Sequence, residues 1–219
     1  MSHFHQHTQQ PEQTPETSGH VIHWALPYDK LTGRILRHSE ASIRVLSQVK
    51  PGDKVLDVGC GSGRLTIAAQ NWVGPTGEAQ GIDPAPEMIE IAHRNSARAG
   101  VAAKFEVGLV EALPFPDGTF DLVMNRLMMH HLPDSLKPRG LAEMRRVLKP
   151  GGLCLIVDFE PPKSPILRHL VENLLSPVMA QIDVRNYIPL LVKAGFGEVE
   201  TGPTNSKFLS FVRGRSHGI

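Results

Sequence analysis

Three features of the chain could do chemistry together: a glycine-rich loop, two acids placed around it, and a pair of adjacent histidines further on. The loop lies in the run Val55-Leu56-Asp57-Val58-Gly59-Cys60-Gly61-Ser62-Gly63. Aliphatic residues lead into it and a helical pattern, Leu65 to Trp72, leaves it. Glycines between a strand and a helix permit a tight turn and let a ligand approach the backbone. The helix that follows turns free N–H groups and its positive dipole end toward that ligand. Asp83 stands at the end of the second predicted strand. A carboxylate there can accept two hydrogen bonds from ribose hydroxyls. This succession of strand, loop, helix, strand and acid points to a nucleoside-containing cofactor, with a purely structural turn as the plainer alternative.

Asp57 narrows the choice of cofactor. A dinucleotide loop reads G-x-G-x-x-G and receives a pyrophosphate. Here the spacing is G-x-G-x-G, and Asp57 precedes the first glycine by two residues. A carboxylate beside the loop repels a pyrophosphate and suits a ligand with an ammonium or sulfonium group. S-adenosyl-L-methionine is therefore favoured over NAD.

Regular elements must hold these residues. Val55–Val58, a segment ending at Ile82, Phe105–Val107, Phe120–Met124 and Leu153–Phe159 read as strands. Leu65–Trp72, Pro86–Ala99 with Gly100 after it, and Ser135–Leu148 stopped by Pro150-Gly151-Gly152 read as helices. Their alternation predicts βαβ units and a parallel sheet. Residues 19–50 are expected to form an N-terminal helical cap, with Ser39 capping a helix that turns Ile43, Val45, Leu46 and Val49 to the core. Residues 1–18 are too polar to offset their ordering entropy and are expected to be a disordered tail. His3, His5 and His7 supply no fixed geometry there, and no metal site is expected. Ile166, Leu167, Leu170, Val171, Leu174, Leu175, Val178 and Met179 form one apolar helical stripe. That stripe reads as a lid helix over 164–182, or as a face buried on the sheet or in a homodimer. A helix Asn186–Lys193 and strands near Glu198–Thr201 and Phe208–Arg213 close a single domain over 51–219.

Composition sets the outer bounds. The 219 residues are 41% hydrophobic and 21% charged, as expected of one soluble globular domain. A net charge of +1 argues against a nucleic-acid partner. Two cysteines, Cys60 and Cys154, rule out a disulfide scaffold and make a reducing compartment the default. No apolar run has the length of a membrane span, and no secretory h-region is visible. A cytoplasmic location is expected.

The sequence VLDVGCGSG resembles the first motif of the class I S-adenosylmethionine-dependent methyltransferases. The likeness continues in GIDPAPEMIEIA, EALPFPDGTFDLV, MMHHLPD and LAEMRRVLKPGGLCLIVDF. It is nearest to the group that includes the ubiquinone/menaquinone-type C-methyltransferases. The resemblance implies an α/β, Rossmann-like, doubly wound sheet of seven strands, mostly parallel, with an antiparallel last strand. It also implies site residues. Gly59, Cys60 and Gly61 would lie under the methionine moiety, and Asp57 would hold its ammonium. Asp83 would bind the ribose. Met88, Val110 and Glu111 would neighbour the adenine, and Asn125 would face the methionine end. Relatives often read Gly-Asp-Ala where this chain reads Gly108-Leu109-Val110, so the usual carboxylate near the adenine amino group is missing.

Methyl transfer requires alignment of the acceptor, and a base only where the acceptor must lose a proton early. His130 is the candidate base or acceptor-positioning group, with His131 beside it. A packing histidine is the plainer reading. His23, Trp24 and Tyr28, in the predicted cap, are candidates for substrate binding. Asp158 and Glu160 read chiefly as a solvated loop edge, and Cys154 as core. The expected function is methyl transfer from S-adenosylmethionine to a small, hydrophobic acceptor such as a quinone, a phenolic or a lipid. A non-catalytic cofactor-binding module, an NAD-linked oxidoreductase and an RNA methyltransferase are the rivals.

Overall fold

A computed structural model describes residues 39–160, 164, 182–206 and 208–217. The predicted tail, most of the predicted cap and nearly all of the predicted lid, including the candidate dimer stripe, lie outside the described residues. In order, the elements are α1 (39–47), β1 (Lys54–Val58), α2 (Arg64–Val73), β2 (Glu78–Asp83), α3 (Pro86–Ala99), β3 (Lys104–Val107), β4 (Phe120–Arg126), α4 (Lys137–Val147), β5 (Leu148–Phe159), α5 (Ile188–Lys193), β6 (Phe196–Pro203) and β7 (Leu209–Ser216).

The seven strands form one sheet in the order β3-β2-β1-β4-β5-β7-β6. The pairs β1–β2, β1–β4, β2–β3 and β4–β5 are parallel, and β7 runs antiparallel to both β5 and β6. The predicted seven-stranded sheet with an antiparallel last strand is what forms. β1 and β4 are neighbours, yet the chain runs outward from β1 toward β3 and from β4 toward β5. Ligands bind at such a switch point, beyond the carboxyl ends of the strands.

Strand alternation divides the core. Val55, Leu122, Met124, Leu155 and Val157 pack on one face with Leu65 and Ala69 of α2 and Ile43 of α1. Val58, Val123 and Ile156 pack on the other with Leu141 and Met144 of α4 and Leu191 of α5. Both faces are covered, so β4 and β5 read as nearly unbroken apolar runs.

Four local expectations are corrected. Val45 is 76% exposed, because it lies on the side of α1 opposite the fully buried Ile43. Ser39 is already helical and fully buried, where its hydroxyl accepts from Arg126 Nη1 at 3.4 Å. The Pro150-Gly151-Gly152 run does not separate α4 from a strand; it lies inside β5, where the register with β4 shifts between Phe120 and Leu122. A Gly-rich irregularity lets the strand bend without losing its pairing. The predicted helix 186–193 is a 3₁₀ turn, Val184–Tyr187, followed by α5, with Asp183 capping the turn by accepting from Arg185 N at 2.9 Å.

The long connection from β3 to β4 is tied down by α4. Arg146 donates to the carbonyls of Leu113 and Phe115 and to Asp117 and Glu143, and Glu143 accepts from Leu113 N at 2.9 Å. The turn carrying Val110 and Glu111 is thereby fixed.

Two glycines of the loop differ sharply in surroundings. Gly63 has φ 79°, and a Cβ there would lie 2.7 Å from Phe105 Cε1 and 2.8 Å from Ala92 Cβ. Gly61 has φ 51°, with nothing within 4 Å of such a Cβ. Gly63→Ala is expected to cost about 2–4 kcal/mol, combining left-handed strain with overpacking. Gly61→Ala should cost only the strain, about 1–2 kcal/mol. Urea unfolding midpoints would separate the two, and equal losses would show that packing against α3 and β3 is unimportant.

Candidate active site

The carboxyl ends of β1, β2, β4 and β5 bring two groups of residues to one edge of the sheet. The first is built on the glycine loop. Gly59 and Cys60 donate their N–H groups to Ile82 O at 2.8 and 2.9 Å, folding the loop across the end of β2. Gly59 has φ 72°, and a Cβ there would collide with Met128 of the turn after β4. Glycine at this position lets two strand ends meet. The open space beside Gly61 is the place where a ligand could lie against the backbone.

Asp83 closes the loop. Its Oδ2 accepts from Gly61 N at 2.9 Å and its Oδ1 from Ala85 N at 3.0 Å, so one carboxylate joins the loop to the start of α3. Burial raises its pKa. Asp57 is 1% exposed and accepts from Thr66 Oγ1 at 2.7 Å. Burial pushes its carboxyl up to about 6, against the opposing pull of that hydrogen bond and of the Arg126 charge. Two acids with little water around them are a natural counter-site for a ligand cation. Cys60 is half-buried, and desolvation raises its thiol, so it is not an ionised nucleophile at neutral pH.

The remaining cofactor candidates occupy the same rim. Met88 is buried on α3. Val110 is buried against α4, where a Cβ on Gly140 would meet its Cγ2 at 3.0 Å. Glu111 is half-buried in the turn closed by the Leu109–Ala112 bridge. Asn125 is 1% exposed, and neither its amide nitrogen nor its oxygen has a hydrogen-bond partner. A buried polar group left unpaired costs about 1–3 kcal/mol. Its position at the end of β4 makes it available to a ligand's polar groups. These residues fit a cofactor with a nucleoside, an ammonium and a polar amino-acid end.

The second group follows β4. Leu127 has φ 58°, in a region that β-carbon-bearing residues seldom adopt, and its N–H donates to Val157 O at 2.9 Å. The chain then turns into a short 3₁₀ helix, Met129–His131. His130 Nδ1 lies 2.7 Å from Asp158 Oδ1. The side-chain exposures of the pair are 10% and 0%. Asp158 also accepts from Phe159 N at 2.8 Å and, at Oδ2, from the Tyr187 hydroxyl at 3.0 Å. The His130 and His131 rings are 4.0 Å apart.

The loop-edge reading of Asp158 is therefore wrong: the residue is fully buried because β5 continues past it and Tyr187 covers it. Glu160 is half-buried and accepts from Ser210 Oγ at 2.6 Å. The sequence did carry a sign for Asp158, an acid closing an apolar run, which must find donors to be buried. Tyr187 gave no such sign, since only the fold brings it to β5. His23, Trp24 and Tyr28 lie outside the described residues. Among the described residues no cluster of three His, Cys, Asp or Glu could hold a metal, and no helix is long and apolar enough to cross a membrane.

A sheet of this order, with a glycine loop and an acid at its switch point, is the arrangement that the motif resemblance implies. Residues 55–152 match the model of a family described as a methyltransferase domain. The demethylmenaquinone methyltransferase of Staphylococcus aureus (strain JH9) is 37% identical over 147 residues, which are 65% of this chain and 60% of that protein. The chain thus matches less than two thirds of the relative's length. A SAM-dependent methyltransferase from Aquifex aeolicus superposes with a TM-score of 0.63 at 23% identity, covering 84% of this chain and 97% of that one. Phosphoethanolamine N-methyltransferase 2 of Haemonchus contortus, solved in complex with S-adenosyl-L-methionine, superposes with a TM-score of 0.64 at 15% identity, covering 90% and 61%. The resemblance drawn from the motifs is borne out.

With Asp57 read as the partner of the cofactor's ammonium, cofactor binding is expected to depend on pH. Its carboxyl is raised from 3.8 to about 6, so its contribution to folding stability is full below the lower value and lost as pH rises through the upper. A ligand ammonium needs the ionised form, so binding follows the opposite course. Calorimetric affinity for S-adenosylhomocysteine is expected to fall with pH below about 6, by up to roughly tenfold per unit. Asp57→Asn should weaken binding at neutral pH and flatten this profile. An unchanged profile in the variant would place the dependence elsewhere, with Asp83 first in line.

Proposed function

We propose that the protein transfers the methyl group of S-adenosylmethionine to a small, hydrophobic acceptor of the quinol or phenol type, whose reacting position must give up a proton. The observation that carries this reading is the buried Asp158–His130 pair beside the glycine loop. A methyltransferase that only aligned its acceptor would have no need of it.

The cofactor, when bound, supplies a methyl group already activated by its sulfonium. The chain's own residues do the rest. The backbone at Gly59, Cys60 and Gly61 gives the methionine part a surface, with Asp57 pairing its ammonium and Asn125 offering the unpaired amide. Asp83 takes the ribose hydroxyls. Met88, Val110 and Glu111 border the adenine. Asp158 accepts from His130 Nδ1–H, which fixes the tautomer and leaves Nε2 as the free base. His130 Nε2 would take the acceptor's hydroxyl proton, leaving an oxygen or ring carbon able to accept the methyl group that the cofactor would supply, its sulfonium departing as the neutral thioether. Asp158 stabilises the imidazolium that results. His131, His23, Trp24 and Tyr28 are proposed to hold the acceptor about 3–3.5 Å from the methyl carbon.

The acceptor class draws on two further supports. The relative named above acts on a demethylmenaquinone. The apolar stripe of the 166–179 sequence suits a hydrophobic ring or tail.

The test supplies purified protein with S-adenosylmethionine and, in turn, a reduced naphthoquinone lacking the ring methyl, a naphthol and an aliphatic amine. Mass spectrometry reads the methylated product. Methylation of the naphthoquinol or naphthol is expected, and of the amine is not. His130→Gln and Asp158→Asn should each lower kcat about 10²–10⁴-fold. Affinity for S-adenosylhomocysteine should stay the same in both. Wild-type rates in both variants would remove the base from the mechanism, and transfer to the amine alone would overturn the acceptor class.

A further inference from the structure

Asp158 has three donors where a simple orienting acid needs one. His130 Nδ1 and Phe159 N both meet Oδ1, at 2.7 and 2.8 Å, and the Tyr187 hydroxyl meets Oδ2 at 3.0 Å. Tyr187 comes from the 3₁₀ turn Val184–Tyr187, far along the chain from β4 and β5. It is 4% exposed, and among the described residues its hydroxyl makes one hydrogen bond, to Asp158. Burial, and then the Asp158 charge, push the hydroxyl above its ordinary pKa, so it stays a donor across the working pH range.

We propose that Tyr187 is a positioning residue that sets the basicity of His130 through Asp158. The inference rests on the reading of His130 as the base. The second carboxylate oxygen, held by Tyr187, keeps part of the negative charge away from the histidine. The dipole of the hydroxyl also opposes a proton on His130. Both effects lower the proton affinity of the imidazole. A purely structural tyrosine would bury its ring equally well and leave the histidine untouched.

Among the described residues, these groups lie around the pair. The His131 ring, from the same turn, lies 4.0 Å from that of His130 and is tilted by 44°. Phe159 of β5 presents a ring at 5.4 Å from His130. Lys137 of α4 lies 5.8 Å from the centre of the Tyr187 ring, and Asp134 acts on the Tyr187 hydroxyl from the turn before α4. Lys137 and Asp134 pair with each other at 2.7 Å.

The titration of His130 can be read without any acceptor. Imidazole carbon-bound proton shifts of the full chain, labelled at its 11 histidines and assigned with His130→Gln, give the midpoint directly. Tyr187→Phe is expected to raise the proton affinity of His130 about three- to tenfold, an upward shift of roughly half to one pH unit. Asp158→Asn should move it down. Should Tyr187→Phe fail to fold, replacing both tyrosines, Tyr28 and Tyr187, by fluorotyrosine makes a stronger donor and should shift the midpoint down. A His130 midpoint within about 0.2 unit of wild type in Tyr187→Phe, with only thermal stability reduced, overturns the proposal. So does an unmoved midpoint in the fluorotyrosine protein. The catalytic reading fails on different evidence, namely undiminished methyl transfer by His130→Gln.

Discussion

A carboxylate with no exposure to water must be paid for in hydrogen bonds, and Asp158 organises the second half of the site around that need. Its side chain points from β5 to the face that α4 and α5 cover. Water cannot reach it there, so the donors have to come from the chain. One is its own strand's next N–H, one is a histidine after β4, and one is a tyrosine beyond the predicted lid. The requirement reaches back to Leu127. Only a left-handed residue after β4 turns the chain sharply enough to start the 3₁₀ helix that carries His130. Strain of this kind persists where surrounding structure overrides it.

The first half of the site depends on close approach instead. Gly59 lets Met128 meet the loop, Gly63 lets α2 sit against Phe105 and Ala92, and Gly81 lets Cys60 and Thr66 cross β2. Each contact removes room that a Cβ would need. The loop can then lie flat on the strand ends with Asp57 beneath it and Asp83 at its side. The glycine of this set that has open space, Gly61, is also the one whose N–H is held by the Asp83 carboxylate. Backbone geometry and acid placement are thus one arrangement.

Much of this was legible in the sequence, for a physical reason. The loop and Asp83 are local: strand, turn and helix signals lie within one βαβ unit, and their spacing fixes where the acid falls. The parallel sheet was legible because both its faces are buried, which writes continuous apolar runs. What stayed hidden depends on contacts between distant segments. Tyr187 and Asp158 are 29 positions apart, and no pattern at that range is periodic. Val45 was misread because it lies on the side of α1 that looks out to solvent, opposite the buried Ile43. The Pro150-Gly151-Gly152 run was read as a terminator, since proline and glycine usually end an element, whereas here the neighbouring strand holds them in register on either side of a bulge.

The two ends of the sheet show where the fold tolerates cost. At the amino ends of the strands, Asp121 and Gln70 are well matched. Asp121 accepts from Lys54 N and from Lys149, and those partners hold its carboxyl below the usual range. Gln70 knits Gly74, Gly77 and Ala79 together with one amide. At the carboxyl ends the pattern reverses. Asp57 is raised by burial, Asn125 has an amide with no partner, and Leu127 holds a left-handed backbone. Each of these lowers stability, and all three fall on the rim that the glycine loop shares with His130. Left-handed backbone also occurs at Gln48 and Glu198, so strain alone does not mark the site. What sets this rim apart is that a raised acid and an unpartnered buried amide lie beside the open glycine loop, where a ligand's polar groups would offer the partners they lack.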